Sequence, residues 1–161
     1  MTRSNYDGGF CFSDTLVAAV DGPKAICLLH EGDLVYSYDV KQKRFISTPC
    51  SKAFFTNMHA EIYRITFCDG LSVRTTYNQK FMTVTDNDFN VDYTELADLS
   101  LRTIVAEWGN GSLVPAGIVI DEIKCTNKQL DVWNIDVPKT HNFVVCDIDG
   151  TVGVVVRNCK R

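Results

Sequence analysis

FVVCDIDGTVGVVVRNC, residues 143–159, sets two apolar runs on either side of Asp149-Gly150 and ends in an asparagine followed directly by a cysteine. An Asp-Gly pair tolerates the positive φ angles of a two-residue turn, so the stretch reads as a hairpin. Three successive valines, 154–156, favour the pleated surface of a sheet, where branched side chains pack well. The strand then finishes on a side-chain amide next to a thiol, a potential nucleophile.

The same punctuation recurs upstream. Asp21-Gly22 follows TLVAAV, Asp69-Gly70 separates YRITFC from LSVRTT, and Asn110-Gly111 marks a further turn. The chain is therefore expected to be mostly antiparallel β. Helical periodicity is hard to find; DYTELADLSL, residues 92–101, is expected to form a turn or short helix. Pro23, Pro49, Pro115 and Pro138 lie near turns or strand boundaries, where a missing N–H does least damage to a sheet. Residues 86–110 read as a loop or the place of a lost insertion.

With 161 residues, 45% apolar and 22% charged, the chain suits one soluble domain with a real core. Sixteen Lys and Arg against twenty Asp and Glu give a net charge of -4, which leaves no basic footprint for a nucleic-acid partner. The opening MTRSNYDGGF lacks the apolar centre of a signal peptide. No apolar run approaches the roughly 20 residues of a membrane helix, so a soluble, non-secreted protein without a membrane partner is expected. Seven cysteines without a C-x-x-C pair indicate neither a disulfide framework nor a zinc site. Cys27, Cys50, Cys68, Cys125 and Cys146 read as small buried residues in a reducing compartment, and His30 and His59 as surface residues.

Four segments in order carry a resemblance that covers residues 11–159. They are CFSDTLVAAVDGPKAICLLHEGDLVYSYD from Cys11, GLSVRTTYNQKFMTV from Gly70, VWNIDVPKTHNFVV from Val132 and the final VVVRNC. Together these resemble the first, second, penultimate and final blocks of an intein, the self-splicing domain that shares its fold with hedgehog autoprocessing modules. The resemblance implies an all-β, horseshoe-shaped, pseudo-two-fold Hint fold. It makes residues 1–10 the upstream flank (N-extein), 11–158 the splicing domain and 159–161 the downstream flank (C-extein). Too few residues separate the second and penultimate blocks for a homing endonuclease.

The chemistry so implied needs no cofactor or metal, and no partner beyond the flanking extein segments of the same chain. A monomer in the cytoplasm, or wherever the host protein resides, is expected. Cys11 would attack the Phe10 carbonyl to form a thioester, and Cys159 would take over the acyl group. Asn158 would then cyclise to a succinimide, and a sulfur-to-nitrogen shift would ligate the flanks. His141 in THNF matches the family's penultimate-block histidine, a base or proton shuttle for cyclisation.

Three positions depart from the family pattern. Gln79 stands where histidine is usual in T-x-x-H; it can donate a hydrogen bond to the Phe10–Cys11 amide but exchanges no proton near neutral pH. Thr76 of the same motif would hold that junction by its hydroxyl, or serve as a plain strand threonine. Arg157 replaces the penultimate histidine and is always protonated; stabilising an oxyanion at the Asn158 carbonyl and serving as a solvated cation are equal readings. Asn134 falls where aspartate is common, as a site residue or a strand-edge amide, and leaves open how Cys11 is deprotonated. Hairpins at Asp69-Gly70 and Asp149-Gly150 are expected to set the first and last strands side by side, within near-attack range. A domain that only cleaves, and a degenerate intein that no longer splices, remain as alternatives.

Overall fold

The four Asx-Gly pairs among the described residues turn the chain between paired strands, with Gly70 at φ +92° and Gly150 at +66°, conformations that a Cβ would strain. The computed structural model describes residues 11–158, without the side chains at 12, 56–60 and 127–131. Its strands are β1 (Cys11–Phe12), β2 (Leu16–Ala19), β3 (Gly22–Ala25), β4 (Leu34–Asp39), β5 (Arg44–Pro49), β6 (Phe54–Phe67) and β7 (Ser72–Thr75). They continue as β8 (Lys80–Val84), β9 (Val91–Glu95), β10 (Ile104–Gly109), β11 (Ala116–Asn134), β12 (Asn142–Cys146) and β13 (Val152–Arg157). Helical structure among the described residues amounts to two 3-10 turns, Ile26–Leu28 and Leu96–Asp98.

Every strand pairing is antiparallel, in the order β1-β7-β6-β11-β10-β8-β13-β12-β2-β4-β5, with β3 on β2 and β9 on β8. The long strands β6 and β11 run together from Phe54↔Asn134 to Phe67↔Ile120, with register shifts that bend the pair. Short β1 slots between β7 and β11, with Cys11 opposite both Thr75 and Trp133. Since β6 also pairs with β7, these four strands close on themselves and leave Cys11 no solvent face.

The hairpin β12–β13 runs in register from Asn142↔Arg157 to Cys146↔Gly153. Val154 and Val156 enter a core with Cys11, Val17, Ile65, Phe81 and Phe143, whereas Val155 enters a second cluster with Ala18, Tyr38, Trp108 and Val144. Both faces of β13 are thus covered, which is why its sequence runs apolar instead of alternating. Each fully buried valine contributes about 1.5 kcal/mol or more.

Four expectations need correction. Residues 86–110 are no loop: Asp86 receives hydrogen bonds from Asp88 N, Asn90 N and Asn90 Nδ2, and this turn folds β9 back onto β8. The ladder from Val84↔Val91 to Lys80↔Glu95 takes the first half of DYTELADLSL as strand, leaving one 3-10 turn after it. The first and last strands are not neighbours either: β1 pairs with β7 and β11, and β13 with β12, β8 and β10. Among the five interior cysteines only Cys50 and Cys146 are buried; Cys27 and Cys125 are half-buried, and Cys68, beside the Asp69-Gly70 turn, is exposed. His30 is exposed, and the His59 side chain lies outside the described residues.

Candidate active site

Cys11 begins the described chain fully buried, and burial pushes its thiol up to about 12 from an ordinary 9.0. Desolvation raises a thiol because the thiolate, not the neutral form, loses hydration. Its Sγ lies 3.8 Å from Gln79 Oε1. Gln79 ends the turn that leads from β7 into β8, its N–H bonded to Thr76 O at 3.2 Å. Its side-chain Nε2 donates to Lys80 O (3.1 Å) and to Arg157 O (2.9 Å).

One buried amide therefore spans from the Cys11 thiol to the carbonyl that precedes Asn158. The bridge replaces the expected strand-to-strand pairing as the link between the two ends. Among the described residues both amide hydrogens of Gln79 go to main-chain carbonyls, of Lys80 and of Arg157; the expected contact with the Phe10–Cys11 bond falls on Phe10, which lies outside them. Thr76 is buried, and its hydroxyl donates to Asn78 Oδ1 at 2.6 Å. Asn134, buried at the end of β11, accepts from Ile135 N through Oδ1 at 2.8 Å.

At the other end, Asn158 N donates to His141 O (2.9 Å), extending the β12–β13 ladder by one residue. His141 sits at φ +61°, a left-handed conformation in which histidine is enriched, with its own N–H on Val137 O at 2.8 Å. The tie between His141 and Asn158 is thus through the backbone, and the imidazole is exposed. The buried Asn158 carboxamide is held from another direction: Nδ2 donates to Asp136 Oδ1 at 2.6 Å. Asn158 Oδ1 is buried with no hydrogen-bond partner among the described residues. Asp136 is itself clamped, donating N–H to Ser51 Oγ and accepting from Ser51 N, both at 2.8 Å.

Arg157, half-buried, lays its guanidinium over the Tyr93 ring, 5.4 Å from the centroid, a cation–π contact. Beneath it the buried Asn142 side chain accepts from Ser37 Oγ (2.7 Å) and Tyr38 N (2.8 Å) and donates to Tyr38 O (2.9 Å) and the Tyr93 hydroxyl (3.0 Å). This network pins the start of β12 to β4. Phe10 and Cys159, which complete the two junctions, lie outside the described residues, as do the rest of 1–10 and 159–161.

Asp136, Ser51, Asn142 and Tyr93 were not singled out in the sequence. A signal existed for one of them. Asp136 follows Asn134 by two residues in VWNIDVP, a spacing that returns to the same side of an extended chain. Among the described residues no group of three His, Cys, Asp or Glu side chains is placed to hold a metal ion. Among the described residues no helix is long and apolar enough to cross a membrane.

The closed β1-β7-β6-β11 group and the buried β12–β13 hairpin, with chain ends joined through Gln79, define the class: this is the all-β Hint fold of the inteins. Solved structures match it over nearly the whole chain. A crystal structure of a variant of the Ssp DnaB mini-intein is similar at 20% identity and a TM-score of 0.78, covering 100% of this chain and 99% of that one. A DnaB intein from Synechocystis is similar at 20% identity and 0.77, covering 93% and 98%. A bacterial intein-like domain from Clostridium thermocellum is similar at 20% and 0.72, also covering 93% and 98%. No protein-family model and no curated protein matches the chain.

Proposed function

We propose that the chain is a mini-intein whose residues 11–158 excise themselves and join residues 1–10 to 159–161. Cys11 Sγ attacks the Phe10 carbonyl carbon; the amide C–N bond breaks, the thiol proton passes to the freed Cys11 amine, and a thioester results. Cys159 then displaces Cys11 from that acyl group, giving a branched chain. Asn158 Nδ2 attacks its own backbone carbonyl carbon, releasing the Cys159 amine and leaving a succinimide. The amine finally takes the acyl group from the Cys159 sulfur, and an ordinary peptide bond joins the flanks.

The observation that carries this reading is the Gln79 bridge, 3.8 Å from the Cys11 thiol at one end and 2.9 Å from the Arg157 carbonyl at the other. It holds together two chain ends that the chemistry requires in contact, which supplies the effective molarity of a pre-assembled pair. Thr76 and Asn134 support this end. At the other, His141 flanks the downstream junction, its imidazole a candidate relay for the proton that reaches the departing Cys159 amine. The first step is slow, because a thiol pushed up to about 12 is almost wholly protonated at neutral pH. The only partners are its own flanks, and the setting is the host's cytoplasm.

The test is the mass spectrum of the purified chain after reducing incubation. Ligated 1–10/159–161 together with a succinimide-ended 11–158 is the expected result. Downstream release without ligation assigns a cleavage-only domain, and an unchanged mass over days in thiol assigns a degenerate intein; either overturns the splicing reading.

A further inference from the structure

Asparagine cyclisation asks a poor nucleophile to react. The nitrogen lone pair of a carboxamide is delocalised into its carbonyl, so attack requires a group that draws off a proton as the new bond forms. None of the positions where the family carries its histidines offers such a group at the Asn158 carboxamide. Arg157 is always protonated. Gln79 exchanges no proton, and both its amide hydrogens are committed to main-chain carbonyls. His141 meets Asn158 through its backbone oxygen, its imidazole exposed.

The side chain that does touch the nucleophile is Asp136, with Oδ1 2.6 Å from Asn158 Nδ2, inside the range for direct proton transfer. Its position is fixed from both sides. Two hydrogen bonds to Ser51 lock its backbone, and its neighbours Ile135 and Val137 are fully buried. The carboxamide, by contrast, is held through nitrogen alone: Oδ1 is buried and unpartnered among the described residues. An unsatisfied buried carbonyl is destabilising, and it leaves no second bond to resist rotation toward the backbone carbonyl.

We propose that Asp136 is the catalytic base of Asn158 cyclisation, an assignment that rests on the splicing reading above. As Nδ2 bonds to the Asn158 backbone carbon, its proton moves to Asp136 Oδ1. The bond from that carbon to the Cys159 nitrogen breaks, and the proton is passed to the departing amine, regenerating the carboxylate. Nothing is oxidised or reduced. The carboxylate missing at Asn134 thus has a counterpart two residues on, acting at the downstream junction.

The experiment isolates cyclisation in a Cys11→Ala chain, which forms no thioester, and follows loss of residues 159–161 by intact mass over time. Adding Asp136→Asn is expected to slow release by about 100-fold or more, the usual weight of general-base catalysis. An amide at 136 still offers an oxygen to Asn158 Nδ2, so a merely positioning Asp136 predicts a rate close to that of the Cys11→Ala parent. Release within threefold of the parent overturns the assignment while leaving the splicing reading intact. No release from the Cys11→Ala parent itself overturns the cyclisation reading and Asp136 with it. Far-UV circular dichroism checks folding. Should the Asn variant fail to fold, Ser51→Ala takes its place: release slowed tenfold supports the assignment, and an unchanged rate overturns it.

Discussion

The Cys11 thiol occupies a strand of two residues with both neighbours in place and no solvent access, and its pKa of about 12 follows from that burial alone. Below this value the thiolate fraction rises tenfold with each pH unit. Thiol-induced cleavage at Phe10–Cys11, read by mass spectrometry, is therefore expected to accelerate about tenfold per unit between pH 7 and 9. A rate that levels off near pH 8 would mean that the thiol is deprotonated by a neighbour, not by solvent. Cys11 and Asn158 stand out as candidates in the sequence because each opens or closes an ordered set of blocks. The Asp136–Asn158 contact was not legible: its spacing from Asn134 marks the aspartate, but its partners Ser51 and Asn158 fold against it from 85 and 22 residues away. Gln79 was legible as a departure, yet its bonds were not: an amide offers donors and an acceptor alike, and only the fold decides which carbonyls it meets.

Turns were the most legible elements, because the φ demands of an Asx-Gly pair are local and the four described pairs all turn between antiparallel strands. Strand β9 escaped notice because its identity comes from pairing with β8, a tertiary choice that a local reading of VDYTE does not show, while the ELADL that follows keeps its 3-10 turn. The β12–β13 hairpin shows how closely such elements pack. Gly153 interrupts an otherwise β-branched strand where a Cβ would stand 2.5 Å from Val144 Cγ1 and 2.6 Å from the Val145 carbonyl oxygen. The second contact is backbone, which cannot swing aside. Gly153→Ala is expected to force β12 and β13 apart, at a cost of about 1–3 kcal/mol in urea unfolding. Its effect should extend to activity, because β13 delivers the Arg157 carbonyl to Gln79 and Asn158 to Asp136. An alanine variant as stable as the parent would show that the hairpin has slack.

Over the whole molecule, buried acids set how stability responds to pH. Glu107 on β10 shares a hydrogen bond with Asp69 of the β6–β7 turn, and one of its oxygens is buried without a partner among the described residues. Burial first, then the bond to Asp69 and its charge, raise the Glu107 carboxyl from 4.5 to about 7. The folded chain therefore binds more protons than the unfolded one between these values, so this contribution is fully present below pH 4.5 and lost as pH rises through 7. Cys11 and Cys146, both raised to about 12, and Cys50, raised to about 11, act in the same sense from pH 9.0 upward. For Cys11 alone the loss at pH 10 is about 1.4 kcal/mol. Alkali thus frees the Cys11 thiolate while weakening the framework around it in two stages, one through neutral pH and one above pH 9.0. Glu107→Gln separates the lower one. Glutamine keeps a donor for Asp69 and cannot ionise, so the variant should match the parent in urea unfolding at pH 4.5 and exceed it at pH 8, where the parent must hold two carboxylates together. A glutamine chain less stable than the parent at pH 8 would show that Glu107 stays comfortable as an anion beside Asp69, and that the decline through neutral pH has another source.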